Sequence, residues 1–572
     1  MSEQVHKPAT GFRTGVVIAA VVAAAGTLAW RAVDLHVFNK EFLQSQGDAR
    51  YLRVQPIAAH RGMILDRNGE PIAISTPVDS VWVQPRDFMT VQARWSEVAR
   101  LLELDIKQLR HNVLSRQNRE FVYLKRHVTP EIANNVMKLE LPGISLQREY
   151  KRYYPAGEVT AHVVGFTNVD DKGQEGLELA YDEWLRGQPG SQRVIKDRLG
   201  RVVKLVEQIH APKAGKDLML SIDRRIQYLT YRELKRAVIQ HKARSGSAVV
   251  LDVRSGEVLA MVNQPAYNPN NRENMHSSQL RNRAVTDVFE PGSTIKPFTV
   301  AAALNSGRFQ RSSVVDTAPG YYKVGNSLVK DTRNYGRIDL TTLIKKSSNI
   351  GATKLALAIK PETLWRIHSS VGFGEPTSSG FPGEASGLLT HADQWRTIER
   401  ATLAFGYGMS VTALQLARAY AVLANNGKIQ NISFIRQDKP DKSRQVIKAG
   451  IARQVRTMLE QVVLEGGTGT RASVPGYKVA GKTGTAKKAV NGGYSDDRYT
   501  AVFAGMVPAS QPRLVMVVVI DEPDNGVYYG GEVAAPVFSK VMSNVLPLMD
   551  IAPDNVTRTS IQLAVQQMGE RP

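Results

Sequence analysis

The sequence predicts a mixed α+β protein whose C-terminal part is one antiparallel sheet covered by helices. Two strand-like runs at 247–253 and 257–262 read as a hairpin, a mainly helical stretch follows, and strands return at 499–507 and 514–521. The last run is almost entirely apolar, which is typical of a central strand buried on both faces. Strands on both sides of a helical insert favour a single sheet with helices packed against it.

Length and composition indicate a globular protein of several domains. At 572 residues the chain is too long for one ordinary core, and it is 42% hydrophobic and 22% charged. The net charge of +21 fits an anionic membrane or cell-wall surface as well as nucleic acid. No zinc-finger, RRM or helix-turn-helix signature accompanies the charge, so we expect no nucleic-acid partner, and a solvated basic surface without a specific partner stays open.

The absence of cysteine excludes disulfides, zinc-thiolate sites and thiol catalysis, and it suits an oxidising compartment. The 11 histidines are scattered without a metal-ligand spacing. We therefore expect neither a catalytic metal nor a cofactor.

The N-terminal region has the pattern of a membrane anchor. Residues 14–30 carry no charge, Arg31 can snorkel, and apolar residues continue to position 35. We expect a cytoplasmic tail at 1–13 and a single transmembrane helix at 14–35, with Trp30 at the far interface. A cleaved signal peptide is the alternative, since Ala23-Ala-Ala25 offers small residues. Either reading puts the rest of the chain outside the cytoplasm.

The extracytoplasmic part divides into two regions and a tail. Residues 36–213 show no nucleophile–base pair, which favours a structural or docking module (a pedestal); Asn68-Gly69 predicts a tight turn there and 97–109 predicts a helix. Residues 214–550 show the sheet-and-helix pattern described above. Residues 551–572 are polar and are expected to form a flexible tail.

Ser293 and Lys296 are the first candidate catalytic pair. Glu290-Pro-Gly292 breaks the preceding structure, and 294–306 reads as a helix, so Ser293 lies at a helix start. Residues three apart share one helix face, and a lysine held partly deprotonated by burial can take the serine proton. The spacing alone is weak, because Ser327-Leu-Val-Lys330 has it too, in a strand-like run without a helix start.

Two further segments strengthen the first pair. In Ser347-Ser-Asn349, Ser347 can pass a proton and Asn349 can bind a substrate amide, although helix capping explains such a tripeptide equally well. Lys482-Thr-Gly-Thr485 reads as a strand whose Gly484 permits close approach of another backbone. Lys482, Thr483 and Thr485 can bind a carboxylate, and the spacing of a phosphate-binding loop is absent.

The ordered set S-x-x-K, S-x-N and K-T-G resembles that of the penicillin-binding proteins. Arg61-Gly-Met-Ile-Leu-Asp-Arg-Asn-Gly69 looks like the start of the class B pedestal, and Tyr267-Asn-Pro-Asn-Asn271 is similar to the approach to the nucleophile. Nothing before Ser293 looks like a glycosyltransferase domain, which argues against class A. The compact pedestal looks more like that of the division-specific, septal transpeptidase than the elongation-specific one.

The resemblance implies the penicillin-binding transpeptidase fold and a D,D-transpeptidase that forms an acyl-enzyme on Ser293 from stem peptides ending in D-Ala-D-Ala. It implies Ser293, Lys296 and Ser347 as catalytic residues. It further implies a set of substrate-binding residues: Asn349, Lys482, Thr483, Gly484, Thr485 and Tyr407. Tyr407 as a core aromatic is the competing interpretation.

By the same resemblance the protein is a single-pass protein of the bacterial inner membrane at the division septum, inhibited by β-lactams and partnered by a polytopic glycosyltransferase. Three alternatives stay open: water as acceptor, which gives a D,D-carboxypeptidase or a β-lactamase; a division scaffold; and a β-lactam sensor. A sensor would carry a multi-span N-terminal region, and a scaffold would lack part of the catalytic set. The sequence does not identify the diamino acid that serves as acceptor.

Overall fold

The structure is a computed structural model that describes residues 10–42, 52–196, 202–273, 275–439, 441–490 and 493–555. Most of the predicted cytoplasmic tail and of the predicted C-terminal tail, residues 1–9 and 556–572, lies outside these described residues.

One N-terminal helix is long and apolar enough to cross a membrane. The α-helix Thr10–Val33 continues into a π-helical turn, Asp34–Phe38, and Arg31 forms an ion pair of 2.6 Å with Asp34. The mean hydropathy of the span Gly11–Phe38 is 2.0, and none of it is buried by the rest of the chain. The helix begins four residues before the predicted 14–35 span, and its composition fits a membrane anchor.

Backbone contacts divide the chain into two compact units. The first unit is drawn from residues 1–60, 77–150 and 187–214, and the second from 61–76, 151–186 and 215–572. The predicted boundaries of the pedestal at 36–213 and of the catalytic region at 214–550 stay a prediction.

The first unit has its own core around Trp95 and Phe88, whose rings stack at 5.0 Å. The region 97–109, predicted to be helical, is divided between two helices. The structure has two helices, Trp95–Leu101 and Ile106–Leu114, because the Asp105 side chain accepts hydrogen bonds from two backbone N–H groups and starts a new helix. This unit also has the helices Pro85–Phe88 and Pro130–Met137 and the 3-10 helix Met89–Arg94. Its strands are Leu52–Ile57, Val122–Val128, Gly190–Lys196, Val202–His210, the second half of Pro71–Val83 and the part of Ile144–Tyr153 up to residue 150.

The N-terminal part of the second unit contains the predicted tight turn. Strand Ile64–Leu65 pairs antiparallel with the first half of Pro71–Val83 and parallel with Leu218–Met219. Between the first two strands, Gly69 has φ +86°, and the Asp66 carboxylate accepts the N–H groups of Asn68 and Glu70. The turn predicted from Asn68-Gly69 is therefore confirmed.

A five-stranded antiparallel sheet forms the centre of the second unit. Its strands are β1 Ser245–Asp252, β2 Val258–Gln264, β3 Ala480–Val490, β4 Gly493–Val507 and β5 Leu514–Asp521. Their spatial order is β2-β1-β5-β4-β3, so the apolar β5 is central, as predicted, and β3 is an edge strand.

Helices cover both faces of this sheet. Successive residues of β5 point to opposite faces, so Val517 belongs to one apolar core and Val518 to the other. The helices used below are α1 Arg224–Gln240, α2 Lys296–Asn305, α3 Leu340–Lys346, α4 Asn349–Ala358, α5 Ala413–Ala424, α6 Ala449–Val463 and α7 Ala535–Leu548. Helices α1 and α7 pack on the Val518 face, and α2 and α5 contribute to the Val517 face.

The other α-helices of the second unit are Ala161–Val164, Gly176–Ala180, Asp182–Arg186, Ser277–Leu280, Arg283–Thr286, Pro361–Ser370, Thr397–Leu403 and Gly530–Val533. Three small two-stranded ladders complete it: Val314–Asp316 with Arg337–Asp339, Tyr321–Val324 with Ser327–Lys330, and Lys428–Ile429 with Arg444–Gln445. The predicted antiparallel sheet covered by helices is confirmed.

Candidate active site

Ser293 lies in a tight turn that leads into α2. The turn, Gly292–Ile295, is a 3-10 helix, and the α-helix predicted from residue 294 starts at Lys296. Gly292 has φ +54°, and a Cβ added at Gly406 would lie 2.1 Å from the Gly292 carbonyl oxygen. The Tyr420 hydroxyl donates a hydrogen bond of 2.9 Å to the Thr294 carbonyl. This packing fixes the backbone on which the serine stands.

The buried Lys296 side chain reaches Ser293. Its Nζ lies 3.0 Å from Ser293 Oγ, 3.1 Å from Ser347 Oγ and 2.7 Å from Asn349 Oδ1. The residue is fully buried. Burial, assisted by the charge of Lys482 and opposed by Asp331, holds the pKa of Lys296 well below its ordinary value. The lowered pKa favours the neutral amine, which is the form that can accept the serine proton.

A second buried lysine approaches the same hydroxyl from β3. Lys482 Nζ lies 3.0 Å from Ser347 Oγ and donates a hydrogen bond of 3.0 Å to the Thr483 carbonyl. Burial lowers its pKa to about 7. The Ser347 hydroxyl therefore lies between the amines of Lys296 and Lys482, which allows it to pass a proton between them.

In the Ser347-Ser-Asn349 tripeptide, helix capping and the contacts with Lys296 are made by different residues. Ser347 ends α3 in the left-handed region at φ 61°, which is unusual for a residue with a Cβ. Ser348 is the N-cap of α4, and its Oγ accepts the Gly351 N–H at 2.9 Å. Capping thus explains the middle residue, while Ser347 and Asn349 both contact Lys296.

Sequence reasoning missed Asp331, which anchors this tripeptide. Its carboxylate accepts hydrogen bonds of 2.5 Å from Ser348 Oγ, 2.5 Å from the Asn349 N–H and 3.1 Å from the Ile350 N–H. The preceding carbonyl, of Lys330, accepts the Asn349 side-chain amide at 3.0 Å. No spacing in the sequence points to an aspartate at the end of a short strand.

That strand is Ser327–Lys330, the second S-x-x-K match. Ser327 is exposed on it, so the strand presents no buried nucleophile. It contributes to the site through the Lys330 carbonyl and the Asp331 that follows it.

The K-T-G-T segment lies on the edge strand β3, next to the Ser293 turn. A Cβ added at Gly484 would lie 2.9 Å from the Pro291 carbonyl oxygen, so this position requires a glycine. Thr485 Oγ accepts the Gly530 N–H at 3.0 Å, and Thr483 Oγ lies 2.8 Å from Thr468 Oγ. Each threonine hydroxyl keeps capacity for one more partner.

Tyr407 lies beside β3, farther along the strand than the K-T-G-T segment. Its hydroxyl accepts the Lys487 N–H at 3.3 Å, and its ring meets the edge of Tyr494 at 5.3 Å. The Glu290 carboxylate accepts the Gly408 N–H at 2.8 Å and the Tyr494 hydroxyl at 3.0 Å, which ties this loop to the hairpin between β3 and β4. Tyr407 is half-buried, so its predicted role in the cleft stays a prediction.

A serine activated by a buried lysine, beside an edge strand on a helix-covered antiparallel sheet, defines a serine acyl-transfer enzyme. Residues 246–543 match the family "Penicillin binding protein transpeptidase domain", and residues 56–220 match "Penicillin-binding Protein dimerisation domain". The chain belongs to the class B penicillin-binding proteins.

Curated relatives match the chain over nearly its whole length. It is 45% identical over 561 residues to "Peptidoglycan D,D-transpeptidase FtsI" of Escherichia coli, covering 97% of this chain and 94% of the relative. It is 43% identical over 557 residues to "Probable peptidoglycan D,D-transpeptidase PenA" of Neisseria meningitidis, covering 96% and 95%.

Among solved structures, the transpeptidase domain of Burkholderia pseudomallei penicillin-binding protein 3 matches with a TM-score of 0.55 and 43% identity. The match covers 59% of this chain and 97% of that one.

Proposed function

We propose that the protein is a serine-type peptidoglycan D,D-transpeptidase that cross-links stem peptides through an acyl-enzyme on Ser293. The observation that carries the proposal is the 3.0 Å contact between Ser293 Oγ and the buried Lys296 amine, whose pKa is held well below its ordinary value. A serine becomes a nucleophile when such a base takes its proton.

In the acylation step, Ser293 Oγ attacks the carbonyl of the penultimate D-Ala while its proton passes to Lys296. The N–H groups of Ser293 and Thr485 stabilise the oxyanion. The amide C–N bond then breaks, and the proton returns through Ser347 to the leaving amine of D-Ala. The Ser347 hydroxyl, 3.1 Å from Lys296 Nζ and 3.0 Å from Lys482 Nζ, supports this route.

In the second step, the side-chain amine of a neighbouring stem attacks the ester carbonyl. An amide bond forms, the ester C–O bond breaks, and the proton lost by the amine returns to Ser293 Oγ through Lys296. A β-lactam, which resembles the D-Ala-D-Ala end, stops at the ester.

The donor binds along β3. Its terminal carboxylate is held by Lys482, Thr483 and Thr485, and its amide by Asn349. The edge position of β3 supports this arrangement, because an edge strand offers unpaired backbone groups to an extended peptide. Gly484 allows the Ser293 turn to stay close to the strand.

The apolar N-terminal helix supports anchoring in the inner membrane, with the tail at 1–13 in the cytoplasm and the catalytic region outside. We place the protein at the division septum with a polytopic glycosyltransferase as partner, in line with its likeness to proteins named FtsI. A fluorescent fusion at midcell, and co-purification of a multi-span glycosyltransferase, test this placement; side-wall localisation contradicts it.

The test of the activity uses fluorescent penicillin and a donor–acceptor mixture of stem peptides. We expect Ser293→Ala to lose all labelling and all dimer formation, and Ser327→Ala, at the exposed second match, to keep both. Labelling that persists in Ser293→Ala refutes the proposed nucleophile. Hydrolysed donor without any dimer indicates a carboxypeptidase, and rescue of a depleted strain by Ser293→Ala indicates a scaffold.

A further inference from the structure

Two lysine ammonium groups converge on one point next to the catalytic motifs. A Cβ added at Gly466 would lie 3.4 Å from Lys346 Nζ and 3.9 Å from Lys345 Nζ. Lys346 also donates a hydrogen bond of 2.7 Å to the Gly466 carbonyl. Within the part of the chain that the structure describes, neither lysine forms an ion pair, and the neighbouring Glu465 forms none with them. Two close cations without a counter-charge favour an external anion.

The chain segment that contains the two lysines also has a positive net charge. Residues 301–360 contain ten Lys and Arg against three Asp, so about a tenth of the chain carries +7 of the net charge of +21. Two of these aspartates are already engaged in capping: Asp339 caps α3, and Asp331 binds the start of α4. None of the ten cations forms an ion pair among the described residues. The positive field therefore stays available to a ligand.

The position of the lysine pair indicates which part of the substrate lies next to it. Lys346 directly precedes Ser347, and two residues after Gly466 the Thr468 hydroxyl lies 2.8 Å from that of Thr483. The pair is thus near the Lys482 end of β3. A donor that pairs antiparallel with β3 has its carboxyl end at this same end of the strand and its earlier residues toward Lys487. The pair therefore lies on the side where D-Ala leaves and the acceptor enters.

We propose that Lys345 and Lys346 form an anion subsite for a carboxylate of the acceptor stem peptide, close to its attacking amine. The inference rests on the proposed transpeptidase function. Binding of the acceptor carboxylate holds the acceptor amine near the Ser293 ester. The lysines take no part in the bond changes: the amine forms the amide, the ester C–O bond breaks, and Ser293 Oγ regains its proton. Water carries no carboxylate, so hydrolysis of the ester gains nothing from the subsite.

The test measures how the acyl-enzyme partitions between transfer to an acceptor amine and hydrolysis by water. Full-length protein in detergent is given a stem-peptide donor ending in D-Ala-D-Ala, with D-phenylalanine or D-phenylalaninamide as acceptor. Each acceptor is compared between the parent and Lys345→Gln, so the different basicities of the two amines cancel. Lys345 is chosen because Lys346 also holds the Gly466 carbonyl. Thermal melting establishes that the variant is folded.

We expect Lys345→Gln to lower the transfer-to-hydrolysis ratio for D-phenylalanine by about tenfold, as one charge-assisted contact predicts. The ratio for D-phenylalaninamide should change less than about twofold by the same argument, and Lys345→Arg should restore the parent value. Lys360→Gln, which removes an exposed cation of the same segment, is the matched control and should leave both ratios unchanged.

Equal losses with the acid and the amide overturn the subsite, as does an equal effect of Lys360→Gln, which would point to general surface charge. An unchanged ratio in Lys345→Gln overturns it as well. Failure of the proposed function is distinguishable, because it would appear in the parent protein itself, either as the absence of a penicillin ester on Ser293 or as hydrolysed donor without any transfer product.

Discussion

Lys482 Nζ lies 3.0 Å from the hydroxyl of Ser347, a residue 135 positions earlier in the chain. The contact joins the edge strand β3 to the junction between α3 and α4, and Lys296 reaches the same hydroxyl from α2. Burial lowers the pKa of both amines, and the charge of Lys482 lowers that of Lys296 further.

The first prediction concerns the pH dependence of acylation by a β-lactam. Lys296 must be neutral to act as base, so the rate rises with pH through its lowered pKa. Lys482 must be charged to bind the carboxylate, so the rate falls as pH rises through its pKa of about 7. We expect a bell-shaped profile of kcat/KM, whose limbs belong to the coupled pair.

Lys482→Arg should move the alkaline limb of that profile upward, because a guanidinium stays charged. Stopped-flow acylation between pH 5 and 10 measures both profiles. A flat profile for the parent, or no shift in the variant, contradicts the assigned roles.

Replacing Lys296 by Met removes the base but keeps a long apolar stem in the same buried space. We expect acylation of Ser293 to slow by about 10²- to 10⁴-fold, the usual contribution of a general base. The melting temperature should not fall, since the variant no longer buries an amine. Mass spectrometry of the penicillin ester over time gives the rate. Near-parent acylation would mean that another group accepts the proton.

Asp331→Asn tests the anchor of the S-x-N tripeptide. The substitution removes the negative charge of a carboxylate that accepts hydrogen bonds from Ser348 and from the start of α4. We expect a loss of about 1–2 kcal/mol in positioning Asn349, or roughly tenfold in acylation rate, together with a lower melting temperature. Asp316→Asn is the control, because among the described residues that carboxylate accepts only the Ala318 N–H, in its own turn. Equal effects of the two variants would remove the special role of Asp331.

Gly484→Ala tests the close approach of β3 to the nucleophile turn. The new methyl group would meet the Pro291 carbonyl and the Thr294 side chain, both at 2.9 Å, and push the strand away from Ser293. A displacement of this kind costs on the order of 10²-fold in rate. Gly450→Ala, at the start of α6, meets no atom within 4 Å and should acylate like the parent. Unimpaired acylation by Gly484→Ala would show that the fit tolerates a side chain.

The buried ion cluster of the second unit should be sensitive to the loss of one partner. Glu178 forms ion pairs of 2.7 Å with both Arg61 and Arg152, and all three side chains are buried. Glu178→Gln leaves the buried Arg152 guanidinium without its carboxylate and Arg61 with Asp182 as its remaining carboxylate, at 2.8 Å. We expect a loss of about 3–5 kcal/mol in the free energy of unfolding. Denaturant titration measures it. The exposed pair of Arg193 and Glu207 supplies the control: Glu207→Gln should change little, and a similar loss there would contradict the argument.

The local signals in the sequence determined much of the molecule. Alternation and apolar runs predicted the antiparallel sheet with β5 at its centre, because burial on both faces leaves no polar position. The break at Pro291-Gly292 predicted that Ser293 stands where a helix begins, because these residues end the structure before it. Asn68-Gly69 predicted its turn for the same local reason.

Tertiary structure alone decided what converges on Ser293. Ser327-x-x-Lys330 and Ser293-x-x-Lys296 have the same spacing, and the sequence separates them only by the helix start at Ser293. The structure adds that Ser327 is exposed and that Lys296 is fully buried. Asp331, the lowered pKa values of Lys296 and Lys482, and the meeting of Lys345 with Lys346 at Gly466 depend on residues far apart in the chain. Desolvation and hydrogen-bond geometry act through space, so no pattern of neighbours along the sequence encodes them.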